Sequence, residues 1–190
     1  DAVLATDEIM ASTDIPSELA VEIGGSYEDQ QDMFGDLIML LIMIIILVYI
    51  VMASQFESFM SPFVIMFSIP FAFVGVLLGL FVTGTPLGAM GMIGILILMG
   101  IVVKNGIVLI DYTILMRERG KSVVEASVIA ARSRLRPILM TTLTTVLGMI
   151  PMAIGQGEGS EMWRSLGMVV AWGLSVSTLV TLVIIPTVYA

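Results

Sequence analysis

Five long stretches interrupted by a single charge dominate this sequence: Leu37–Ala53, Phe59–Val82, Thr85–Ile110, Pro137–Gly155 and Ser165–Ala190. A helix of about 20 apolar residues rises 30 Å, which is the thickness of a bilayer's hydrocarbon core. The chain is 58% hydrophobic, whereas soluble domains are roughly 45–50% apolar. These runs predict a membrane protein with five spanning helices, at about 33–53, 59–83, 86–115, 136–155 and 164–190. Met33 and Phe34 are included because the first run is the shortest.

Charge placement orients these helices. Six of the eight basic residues lie between Arg117 and Arg136, and ten of the sixteen acids lie within residues 1–36, where Lys and Arg are absent. Short basic loops stay in the cytoplasm, so residues 116–136 are expected to be cytoplasmic. Residues 1–35 and the turn Gln156–Arg164 then lie outside. The pI near 4.3 averages two opposite faces, and it points to no nucleic-acid partner. Cys and His are both absent. That removes disulfides, thiolate metal sites and the usual general base, so neither an enzyme nor a bound cofactor is expected.

The ends and the connector read differently from the runs. Ala2–Ser12 has helical spacing that Ile15-Pro16 breaks, and Ala20–Ile23 is a short strand candidate before Gly24-Gly25. Residues 1–35 are too few to bury a core and read as the tail of a larger extramembrane domain. The chain begins at Asp1 and stops inside an apolar run, which suggests a piece of a longer polypeptide. In the connector, Gly120 is expected to stop the third helix. Ser122-x-x-Glu125 is a capping-box pattern that predicts a surface helix over about 122–134, before Pro137 opens the fourth run.

Lys104 is the residue that most needs explaining. It lies near the middle of an otherwise uncharged run, where a Lys costs roughly 2.5–3.5 kcal/mol on insertion scales. Such residues face a bundle interior, pair with an acid and mark an ion pathway. A structural ion pair with Asp111 is the alternative. Asp111 shares the helix face seven residues on, but about 10.5 Å of rise separates the two. Asp111 also reads as a solvated boundary residue. Asn105 either bonds across helices or satisfies itself on a carbonyl, and the two readings stay open. Gly91, Gly94, Gly100 and Gly106 are expected to pack helices closely. Of Thr141, Thr142, Thr144 and Thr145, the last three are expected to bond back to carbonyls one turn earlier. Thr141 is the best placed to face a polar path. Arg132, Arg134 and Arg136 read as topology determinants, and the sixteen Met residues as membrane packing. The Gly155–Ser160 stretch is a flexible turn; it follows no strand, so it is no phosphate cradle.

Three stretches together resemble resistance-nodulation-division efflux pumps of the hydrophobe/amphiphile branch. Gly100-Ile-Val-Val-Lys-Asn-Gly-Ile-Val-Leu-Ile-Asp111 resembles their tenth transmembrane helix. Arg132-Ser-Arg-Leu-Arg-Pro-Ile-Leu-Met-Thr-Thr142 is similar to the start of their eleventh, and Ala53-Ser-Gln-Phe-Glu-Ser58 to the link after their eighth. The resemblance implies an all-α membrane portion comprising helices 8–12, most of one pseudo-symmetric half of the transporter. A short α/β remnant of the periplasmic porter region would precede it. It further implies a proton relay in which Lys104 pairs with two Asp on helix four, which this chain lacks. Thr141 and Arg134 match relay positions, Asn105 adjoins the Lys, and Asp111 lies at the relay's cytoplasmic edge. The implied function is proton antiport that exports drugs or other amphiphilic compounds from the bacterial inner membrane. The implied assembly is a homotrimer with a periplasmic adaptor protein and an outer-membrane channel, powered by the proton gradient. Two alternatives stand beside it: another branch exporting metals or proteins, or a non-transporting membrane scaffold. A metal exporter would be expected to carry an acid in helix ten where Lys104-Asn105 stands.

Overall fold

The computed structural model describes residues 26–155, 157 and 159–189. The helix expected at Ala2–Ser12 and the strand at Ala20–Ile23 lie outside them. The chain divides into two compact units, Asp1–Asp32 and Met33–Ala190, and the second carries the membrane-spanning helices.

Among the described residues the regular structure is all helical, with no strand. In chain order the helices are α1 (Ser26–Phe56), α2 (Met60–Met66), α3 (Ile69–Thr83), α4 (Ala89–Glu118), α5 (Val123–Ile154) and α6 (Ser160–Tyr189). They make five spans long and apolar enough to cross a bilayer: Asp32–Phe56, Met60–Thr83, Ala89–Glu118, Val123–Ile154 and Met162–Tyr189. Five apolar runs were expected, and the described residues hold five helical spans long and apolar enough to cross.

Prolines divide these spans unequally. The second is broken into α2 and α3 at Phe67-Ser68, because Pro70 has no N–H for the Met66 carbonyl. The Ser68 hydroxyl donates to the Ile65 carbonyl at 2.6 Å and Ser68 N–H to the same oxygen at 3.0 Å, closing the first piece. Pro70 then sits in the first turn of α3, where its missing donor is harmless. Pro137 behaves otherwise. A surface helix at 122–134 and a separate span from 136 were expected, but α5 runs unbroken from Val123 through Pro137 and Pro151 to Ile154. A proline removes one bond, to Ser133 here, and the turns on either side hold the helix together.

The turn between α4 and α5 is built as its sequence suggests. Gly120 adopts φ +82°, donates to the Arg117 carbonyl at 2.9 Å, and Lys121 donates to the Met116 carbonyl at 3.2 Å. This is a Schellman stop with glycine in the left-handed position that other residues resist. Two residues later the Ser122 hydroxyl accepts from Glu125 N–H at 3.3 Å and caps α5.

Helix α6 is the hub of the second unit, packed along α3, α4 and α5. Val169, Val170 and Leu174 are fully buried there. Small residues set the approach, since lipid supplies no hydrophobic drive between helices and close van der Waals contact must hold them. A Cβ on Gly75 of α3 would stand 2.7 Å from the Val176 Cβ and 3.1 Å from the Gly173 Cα. Gly91, Gly94 and Gly106 of α4 are likewise pressed against α6 or α2 side chains. Gly100 departs from the expectation: it is exposed and nothing lies within 4 Å of its Cβ position. Helix α1 stands at the edge, with 6% of its apolar window buried against 56% for α4.

Candidate functional site

Helix α4 is covered on every side but one. Its buried residues run from Gly91 to Met116, leaving an open stripe of Ile97, Gly100, Lys104, Asp111 and Leu115. The steps of three, four and seven residues keep these on one face. Lys104 lies at the middle of the 30-residue helix and is exposed on that stripe. Its stem borders a cleft of about 320 Å³ whose walls are Leu47, Val48, Val51 and Met52 of α1 with Val103 and Ile107 of α4. Gln55 and Lys104 are the polar side chains among the residues lining it.

The other expected site residues fall around this stripe in different ways. Asp111 is exposed on the same face, two turns toward the Glu118 end. Asn105 turns the other way and is buried at 8% exposure. Thr141 is exposed, and its hydroxyl donates to the Ile138 carbonyl at 2.9 Å. Arg134 is half-buried, and its guanidinium carbon lies 4.7 Å from the centre of the Tyr112 ring. That is cation–π range, and it ties α5 to the turn of α4 that carries Asp111. Close by, Arg117 reaches the Tyr189 hydroxyl of α6 at 3.5 Å. Arg132 and Arg136 are exposed.

The threonines of α5 part company. Thr144 and Thr145 bond back to the Met140 and Thr141 carbonyls at 2.8 and 2.9 Å, as expected. Thr142 does not. It is buried, and its hydroxyl shares a 3.1 Å hydrogen bond with that of Thr178 on α6. The expectation failed because Thr178 offers a buried partner across the helix interface, and such a partner competes with the local carbonyl. Among the described residues, three further polar side-chain atoms are buried without a hydrogen-bond partner: Ser127 Oγ, Arg134 Nε and Thr181 Oγ1. Sequence reading singled out Arg134 alone among these. The spacing of Thr178 and Thr181 inside an apolar run was the available signal for a polar face on α6.

Known proteins locate this arrangement. A family model described as AcrB/AcrD/AcrF family matches residues 1–190. The chain belongs to that family. It is accordingly a transmembrane part of a resistance-nodulation-division transporter, a multi-pass inner-membrane protein. Among its relatives, the swarming motility protein SwrC of Bacillus subtilis (strain 168) is 43% identical over 93% of this chain and 17% of its own length. The cobalt-zinc-cadmium resistance protein CzcA of Cupriavidus metallidurans is 41% identical over 64% of this chain and 12% of its own. A solved heavy metal efflux pump superposes with a TM-score of 0.83 at 33% identity, covering 98% of this chain and 19% of that one. A second crystal form gives 0.80. The chain thus spans less than a fifth of the length of these relatives. Their names speak of metals and motility, so the superfamily stands while the hydrophobe/amphiphile branch expected from sequence does not follow from them.

Proposed function

We propose that this AcrB/AcrD/AcrF-family chain carries one half of a proton relay in an inner-membrane antiporter, with Lys104 as the relay cation. The observation that carries this reading is a lone Lys at mid-span on the one uncovered stripe of α4. A charge in that position needs acid partners from a neighbouring helix. Protonation of those acids changes the local balance by whole charges and releases the Lys, which biases the helix arrangement. Thr141, Arg134 and Asn105 are assigned to the same relay on their match to the family pattern, and Asp111 on its place on the Lys104 stripe of α4. Residues 116–136 are assigned to the cytoplasm and residues 1–35 to the periplasm, on the basic cluster. The working assembly is read as a homotrimer with an adaptor protein and an outer-membrane channel.

The cargo we favour is heavy-metal cations, because CzcA and the solved pump carry metal export or resistance in their names. Among the described residues there is no group of three or more acids that could hold a metal ion. Amphiphilic compounds are the second reading, favoured by the pair Lys104-Asn105 where an acid would suit a cation exporter. Both are tested on the complete pump in a strain lacking its own exporters. Resistance to zinc, cobalt and cadmium supports the first reading, and resistance to dyes and detergents alone replaces it with the second. Export of either class that persists without a proton gradient removes the antiport mechanism.

A further inference from the structure

Of the eight basic residues, six lie in the connector and Lys104 lies at mid-span. Arg164 is the eighth, and two general trends run against its position. On the orientation proposed above it is the one base of this chain on the outer side, where Lys and Arg are disfavoured. It is also the fifth residue of α6, close to a helix N-terminus whose partial positive charge repels a cation. An anion placed beside Arg164 turns both conflicts into attractions.

Arg164 borders a recess that could hold one. A cavity of about 240 Å³ is lined by Thr83, Gly84, Thr85, Pro86 and Arg164. Its wall is held in place by the turn between α3 and α4. Gly84 closes α3 at φ +61°, and Thr83 Oγ1 lies 3.0 Å from Thr85 Oγ1. The Ser165 hydroxyl donates to the Pro86 carbonyl at 3.1 Å and ties this turn to the start of α6. Arg164 is exposed and takes no part in these bonds. Its guanidinium is a planar fork of N–H donors that matches a phosphate group bidentately. An apolar stripe leads away from the recess. Val74, Leu77, Leu78, Phe81 and Val82 of α3 are all exposed, Phe81 at 87%, and steps of three and four residues keep them on one face. The stripe ends beside Thr83. Trp163, next to Arg164, is exposed as well, and Trp favours the headgroup level of a bilayer.

We infer that the recess between the α3–α4 turn and Arg164 holds the phosphate of an outer-leaflet phospholipid, whose acyl chains lie along the exposed stripe of α3. Glu158 and Glu161 precede Arg164 in sequence. A zwitterionic headgroup, with an ammonium beside its phosphate, therefore suits this face better than an anionic one. Free phosphate would meet the same guanidinium but gain nothing from Phe81 and Val82. The choice of leaflet follows the orientation proposed for the basic connector. The pairing of phosphate with Arg164 does not, and neither depends on the relay reading of Lys104.

The test uses the complete pump, purified in detergent with a few phosphatidylethanolamine molecules per protomer and a photo-crosslinking benzoylphenylalanine in place of Phe81. Illumination should join lipid to position 81, read by mass spectrometry of the peptide. Arg164→Gln should lower the adduct yield at least about fivefold, whereas Arg164→Lys, which keeps a point charge for the phosphate, should retain much of it. Equal yields from the parental pump and Arg164→Gln would overturn the inference, since the lipid would then lie on the stripe without the cation. No adduct in the parental pump would overturn it too, with another part of the pump covering this face. Loss of the adduct in millimolar inorganic phosphate would give the recess to a free anion and overturn the lipid. None of these readings involves transport, so failure here leaves Lys104 untouched.

Discussion

At the scale of single residues, Lys104 is where charge and position conflict most. In the complete pump, Lys104→Met keeps length and apolar contact while removing the cation. Acids facing it would then hold their protons across the working range, and coupling would stop. Both Lys104→Met and Lys104→Arg should reach the membrane at normal levels. Export should be lost in the first and strongly impaired in the second, because a planar guanidinium cannot repeat a compact ammonium's swing between partners. Drug or metal resistance, measured beside membrane abundance, checks both. Lys104 was legible in the sequence because a charge amid apolar residues is an anomaly that no local structure resolves. Thr142, Thr181 and Ser127 were not. A hydroxyl in a membrane helix has a carbonyl one turn back that can always satisfy it, and only the neighbouring helix decides otherwise.

At the scale of helices, the α3–α6 contact has little room for added volume. Gly75→Ala would push its new methyl against the Val176 Cβ and the backbone at Gly173 and Trp172. Overpacking of this kind costs about 1–3 kcal/mol, so the pump's thermal midpoint should fall by a few degrees in detergent. Gly35→Ala on α1 meets nothing within 4 Å, and its midpoint should hold or rise with the better helix former. Number and order of spans were readable because length and hydropathy scarcely depend on neighbours. Proline effects were not. Pro70 divides a span while Pro137 and Pro151 sit inside one, and residue type alone does not tell these cases apart.

At the scale of the whole molecule, two outcomes are expected. Since the chain lacks cysteine, a Cys at Ser160 should react with an impermeant thiol reagent in right-side-out vesicles, and a Cys at Ser122 should not. The reverse pattern overturns the assignment of the basic connector to the cytoplasm. Residues 1–190 expressed alone should insert but export nothing, because the acid partners proposed for Lys104 are not in this chain. Proton-dependent resistance in a pump-deleted strain expressing only these residues would remove the relay reading. Which stripe of α4 remains uncovered was beyond the sequence, since it depends on how α2, α5 and α6 share the other faces.

The stop at Gly120 and the cap at Ser122 leave α4 and α5 joined by a handful of residues whose backbone groups are already committed to one another. Such a joint has no slack. Displacement of α4 along its axis is handed to α5 at once, as one limb of a hairpin drags the other, and the Arg134–Tyr112 stack clamps the two limbs above the bend. Helix α1, little of whose apolar span is buried, is not part of this joint. Should the relay proposed for Lys104 push α4 at mid-span, α4 and α5 would move together as one paired strut.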